Sequence, residues 1–367
     1  MNIILILIVI WVAVAKGFLL HKIAVILILT QLLSLYFVDI QYILIIDLLL
    51  LGLVIFAPSK VQEYHIRSPY NKWVKHPLEK IIVDILSLSL KILPVQQASN
   101  LGGWLIVKIS PFLKGHKTAL KNIELAMPNL KDKNNVVKQS WENLGRSFFE
   151  TFYLNSINKK FEKYIDVVVD KNTKEFLKQN RPAIFINIHY GSIGIQSIAS
   201  YNMGLRNCGV VFRFPNNPLM IELNKRTFAG QLKHMHFIPK GQPRDIILWL
   251  KHKRPVSITV DVPFAQGQEL QFFGKPAMTS TSIIQLAVKY NLPLILVYTR
   301  RTSSRKMKFV STFEPPFFIK KPDNLDNTQS TEFDRSAMQK INDKIEKIIK
   351  LHPEQWMWMQ QRWKKVK

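Results

Sequence analysis

The chain has 367 residues, room for one large or two ordinary domains with a sizeable core. Lys and Arg number 51 against 25 Asp and Glu, a formal net charge of +26, which favours an anionic partner: nucleic acid, acidic lipid or a phosphorylated substrate. The single cysteine, Cys208, excludes an internal disulfide framework and fits a reducing compartment, and the scattered histidines form no zinc-site spacing.

In chain order, residues 1–57 stand apart. Asn2 to Val14, Ile23 to Val38 and Tyr42 to Ala57 are apolar runs, separated by Lys16, His21 and Lys22 and then by Asp39-Ile40-Gln41. A membrane span takes about 20 residues, and about 17 at the short end, so two or three transmembrane helices are expected here. The first run lacks a basic leader and a small-residue cleavage site, which argues against a signal peptide. The lysine bias puts the N-terminus outside and everything beyond Ala57 in the cytoplasm. Asp47, inside the third run, is given no role. Residues 58–77 read as a basic juxtamembrane linker, with Tyr64, Tyr70 and Trp73 among the cations. That mixture suits an anionic membrane surface or, equally, a solvated connector.

From Leu78 the apolar period is helical: Ile81, Ile82, Ile85, Leu86 and Leu88, then Trp104 to Leu113, then Val136 to Leu154. The intervening Gly115–Pro128 stretch reads as a basic loop between packing helices. Beyond Ile165 strand and helix signals alternate. Strands are expected over Asp166–Val169, Ala183–Ile188, Val210–Phe214, Met235–Pro239, Val256–Val260, Leu292–Thr299 and Lys306–Ser311. Helices are expected over Lys225–Leu232, Asp245–Lys251, Thr279–Lys289 and Ser330–Leu351. The pattern predicts an α/β domain over residues 78–367, a central mixed sheet flanked by helices.

Three of these strands end on polar groups: His189, Arg213 and Asp261. Strand C-termini of an open sheet converge on one crevice, so the three can form one site. His titrates nearest neutral pH and can take a proton and return it. Arg offers a rigid fork to phosphate or carboxylate oxygens. Asp261 is left with three roles open: orienting a histidine, binding a donor, or capping. The Gln271–Pro276 stretch reads as a loop, Phe272 and Phe273 as core or tunnel wall, and the hydroxyls from Thr279 to Ser282 as helix caps first and, through the same helix-start amides, an anion site second.

The ordered set of Gly115–Met127 with Pro128, Asn143–Glu150, Phe185–Gly191, Phe212–Pro218, Asp261 with Phe272-Phe273-Gly274 and Pro276-Ala277, and Pro353-Glu354-Gln355-Trp356-Met357-Trp358 through Arg362-Trp363-Lys364 resembles the late acyltransferases of lipid A biosynthesis. These are the lauroyl- and myristoyl-transferring enzymes of Gram-negative bacteria, within the lysophospholipid acyltransferase-like group. The likeness covers roughly residues 78 to 367; the apolar runs before Ala57 exceed the single N-terminal helix usual there. It implies acyl transfer from an acyl carrier protein thioester to a hydroxyl of a phosphorylated glycolipid at the inner membrane, with the catalytic domain on the cytoplasmic face. His189 is then the base, assisted by Asp261; Arg213, Asn216 and Lys275 meet substrate. No cofactor, metal or nucleic acid is implied. One departure stands out: the family signature is His, four residues, then Asp or Glu, and here that last position is Gly194. Three readings follow from it. Another carboxylate, Asp261 or Glu222, fills the role; the enzyme is weak or differently tuned; or the chain is a lipid-binding homologue without activity. A glycerolipid acyltransferase is the other enzymatic alternative.

Overall fold

The computed structural model describes residues 75–90, 92–219, 235–303 and 306–363. The expected membrane helices, Asp47, nearly all of the basic linker, Glu222 and the helix expected over 225–232 lie outside the described residues. No described helix is long and apolar enough to cross a membrane.

Helices come first in the chain: α1 (His76–Leu90), α2 (Val95–Ile109), α3 (Lys114–Ala126) and α4 (Lys133–Thr151). The expected basic loop is therefore a helix. Ala119, Asn122 and Ile123 recur at helical spacing and are buried, while its lysines face out. Strong local charge masked a narrow apolar stripe. Helices α2 and α4 cross closely because both carry glycine at the contact. A Cβ at Gly145 would collide with the Gly102 carbonyl, and a Cβ at Gly102 with the Phe149 ring.

The short helices α5 (Leu154–Lys159) and α6 (Phe161–Tyr164) lead into β1 (Ile165–Val169), α7 (Lys171–Lys178), β2 (Ile184–Asn187), α8 (Ile193–Asn202) and β3 (Cys208–Phe212). After the undescribed stretch come β4 (Met235–Pro239), α9 (Pro243–Lys251), β5 (Val256–Thr259), β6 (Gln268–Phe272), β7 (Lys275–Thr279), α10 (Ser282–Lys289), β8 (Leu294–Arg301), β9 (Phe309–Phe313) and α11 (Asn327–Leu351). A capping box at Asp326 and Gln329 starts α11. The expected 271–276 loop is a β-hairpin: β6 pairs with β7 antiparallel, and Phe273 and Gly274 turn it with positive φ. Thr279 consequently ends a strand instead of opening α10.

The main sheet has the order β1-β9-β8-β2-β5-β3-β4, parallel except between β8 and β9. β2 sits at its centre, buried at all four positions, as a strand covered on both faces must be. Ile184, Ile186 and Ile188 join one core with α10 and α11, and Ala183 and Phe185 join another with α8. From β2 the chain builds outward through β3 and β4, returns to β5, then passes to β8 on the other flank. The order thus reverses around β2, and crevices form at the carboxyl ends of strands at such a reversal.

Candidate active site

The register of β2 on β5 matches Asn187 to Thr259. Two residues further on, His189 stands opposite Asp261. The His189 Nδ1 lies 2.9 Å from Asp261 Oδ1, and the His189 backbone N–H donates to Asp261 Oδ2 at 2.8 Å. Trp356 Nε1–H donates to the same Oδ2 at 2.7 Å. An ionised carboxylate only accepts, so Nδ1 carries the imidazole proton and Nε2 keeps its lone pair. The Asp261 side chain is fully buried and the His189 side chain is 25% exposed.

Burial opposes charge on His189, and Lys240 adds to that, but the Asp261 charge and hydrogen bond outweigh both, so the imidazole pKa is raised. Burial likewise opposes ionisation of Asp261. The imidazolium, the Trp356 donor and the His189 amide outweigh it and hold the carboxyl below its usual range.

The pair is clamped by the C-terminal segment. Tyr190 bridges Trp356, Met357 N–H donates to the His189 carbonyl at 3.0 Å, and Gly191 N–H donates to the Gln355 carbonyl at 2.8 Å. Gly191 has φ +61, and a Cβ there would collide with the Thr299 carbonyl, so glycine is required. Helices α3 and α4 hold this segment from behind. Asn122 Nδ2 donates to the Trp358 carbonyl at 2.8 Å, Ser140 Oγ to that of Trp356 at 2.6 Å, and Asn143 Nδ2 to that of Glu354 at 3.0 Å. Arg362 is buried, donates to Met278 O and Thr279 Oγ1, and lies over the Phe272 ring; burial pulls its pKa down to about 10. Phe272 and Phe273 pack on Trp356, Trp358 and Trp363, which makes them core.

Arg213 directly follows β3 and is exposed, beside the strand that delivers Asp261. Asn216 is also exposed; its neighbour Asn217 is buried and donates to His76 O and Glu79 Oε2, docking the loop on α1. Lys275 stands exposed at the hairpin tip, and no described contact joins it to His189 or Asp261. Of the hydroxyls before α10, Ser280 Oγ accepts from Ser282 N, while Thr281 makes no capping bond. Lys240 escaped the sequence reading. The β3–β4 register matches Phe212 to Pro239, so Lys240 lies next to Arg213 and its field reaches His189. Burial, then the Arg213 charge, lowers its pKa. Its signal was a cation directly after a strand. Four adjacent strands thus present His189, Asp261, Arg213 and Lys240 in that order along one edge. Among the described residues no cluster of three or more His, Cys, Asp or Glu side chains suits a metal ion.

The family model described as bacterial lipid A biosynthesis acyltransferase matches residues 71–365. The chain belongs to that family. It is accordingly an acyltransferase. No curated protein matches it. Among solved structures, the crystal structure of the 1-acyl-sn-glycerophosphate (LPA) acyltransferase PlsC from Thermotoga maritima is similar at 14% identity. The match covers 68% of this chain and 97% of that one, with a TM-score of 0.29. Relative to the family's His-x4-Asp/Glu signature, Gly194 lies in the first turn of α8, and a Cβ there would meet Leu154 Cδ2 at 3.0 Å. Leu154 is buried and fills the space a longer side chain at 194 would need.

Proposed function

We propose that this acyltransferase moves a fatty acyl chain from an acyl carrier protein thioester to a hydroxyl of a lipid A precursor, with His189 as general base and Asp261 in place of the carboxylate missing at Gly194. The observation that carries the reading is the His189–Asp261 contact, which in the neutral imidazole places the proton on Nδ1 and leaves the Nε2 lone pair for an acceptor hydroxyl. The acceptor hydroxyl attacks the thioester carbonyl as Nε2 takes its proton. The tetrahedral intermediate expels the carrier thiolate, which recovers that proton from the imidazolium. Asp261 holds the tautomer and offsets the charge formed on the ring. Arg213 and Lys240 supply fixed positive charge for a substrate phosphate or the developing oxyanion. No protein nucleophile is required, and buried Cys208, its thiol pKa pushed up by burial, is not one. The basic surface attracts the acidic carrier and the anionic lipid, and the apolar N-terminal runs would hold the domain at the inner membrane's cytoplasmic face.

Full-length protein, given a panel of acyl carrier protein thioesters with a lipid A precursor or a lysophospholipid, tests this. Turnover on the lipid A precursor that falls about 10²–10⁴-fold in His189→Ala is expected. Turnover on the lysophospholipid alone overturns the acceptor, and unchanged turnover in His189→Ala overturns the base.

A further inference from the structure

We propose a second lipid site, separate from the transfer edge, that takes one long-chain fatty carboxylate. A groove of about 420 Å³ lies between α11 and the segment that follows β9. Its floor is apolar: Ile186 on β2, its register partner Leu296 on β8, and Ile341 on α11. Phe317 and Phe333 form the walls. An engineered apolar cavity of about 150 Å³ accepts one benzene. By that measure the groove has room for one fatty chain.

The rim supplies the reason for a negative head. Lys320 and Lys340 line the mouth and are exposed. Their neighbours are neutralised: Lys321 pairs with Asp334 at 2.9 Å and Lys344 with Glu314 at 3.0 Å. Among the described residues, Lys320 and Lys340 make no ion pair. An apolar slot with two uncompensated cations at its mouth matches a fatty carboxylate at both ends, since the chain avoids water and the head meets charge.

The groove does not run through to His189. Ile188 and Tyr190, next on the same face of β2, are buried. The Tyr190 hydroxyl donates to the Ile348 carbonyl, about two turns along α11 from Ile341, and closes that end. Occupancy is therefore independent of the transfer reaction and of the reading given to it above.

The test uses full-length protein in neutral-lipid nanodiscs and a palmitate analogue carrying a diazirine in its chain, with labelled peptides mapped by mass spectrometry. Label is expected on peptides bearing Phe317, Phe333 or Ile341. It should fall on the order of fivefold in Lys320→Glu/Lys340→Glu, a change at exposed positions, and vanish from those peptides in Ser336→Trp, which covers the mouth. His189→Ala should keep the label. Equal labelling by the matching fatty alcohol, label unaffected by charge reversal, or label confined to the peptide carrying His189 would each overturn the site.

Discussion

Among the described residues, Glu150 and Asp261 are carboxylates with fully buried side chains set beside cations, and only one of these two pairs has the makings of chemistry. Glu150 on α4 is fully buried against Arg301, which is 4% exposed, and accepts from Ser99 Oγ at 2.6 Å. Arg301 lies over the Phe309 ring and its backbone N–H donates to Gln355 Oε1. Asp261 is equally buried, and its partner is a quarter exposed. Both pairs lean on the same C-terminal segment, through Gln355 and Trp356. They differ in the cation. Arg301 is sealed in, and that pair braces the helices against the sheet. Histidine titrates near neutrality and has one nitrogen uncommitted at the edge. Burial of a carboxylate does not by itself mark a site; a titratable partner with a spare nitrogen in a crevice does.

The contrast can be broken from either side. The largest effect is expected at Asp261→Asn. Oδ2 accepts from the His189 amide, Trp356 Nε1 and, at 3.5 Å, Gln360 Nε2, so the amide oxygen will sit there and its NH₂ will face His189 Nδ1. That moves the imidazole proton to Nε2, the wrong tautomer for a base, and acyl transfer should fall by about 10²–10⁴-fold. The acid limb of the residual rate should move down in pH, because the charge that raises the His189 pKa is gone and burial remains. A limb that stays put would detach Asp261 from the reaction.

Glu150→Ala should leave the pH profile unshifted and cost about 3–5 kcal/mol in denaturant unfolding, since it strands Arg301 in the interior. Unchanged stability would show that Arg301 finds another partner. Trp356→Phe, smaller still, removes one donor from a charged acceptor and should cost about 1.5–3 kcal/mol. Asp261 should then titrate at higher pH, read by NMR of the His189 ring.

The pH dependence of stability separates the pairs as well. His189, with a raised pKa, stabilises fully below about pH 6.5 and loses that contribution as pH rises through its folded value. Asp261, with a lowered pKa, stabilises above about pH 3.9 and loses it as pH falls through its folded value. The contribution of this pair should therefore peak between those limits, with wild type and Asp261→Asn diverging most there.

Much of this was legible in order. Strand endings at His189 and Asp261 follow from apolar runs stopped by polar residues and by Pro263, because a covered strand must be apolar and a ladder stops at proline. The spaced motifs pointed to the family. The α/β alternation came from short apolar runs alternating with helical patterning. Helix α3 was lost because its lysines outweigh a thin buried stripe, and the β6–β7 hairpin because its turn has Phe273 in a left-handed conformation that side chains rarely adopt.

By itself, then, the sequence determined most strands and helices outside α3 and the β6–β7 hairpin, and the polar residues that end β2 and β5, since those are local properties of side-chain pattern and backbone chemistry. Tertiary structure decided the pairing. No spacing along the chain says that β5 lies beside β2, that the register sets Asp261 against His189, or that Lys240 comes to stand next to Arg213. Those depend on which strands the two cores can bury side by side, a competition among distant segments that only the folded sheet resolves.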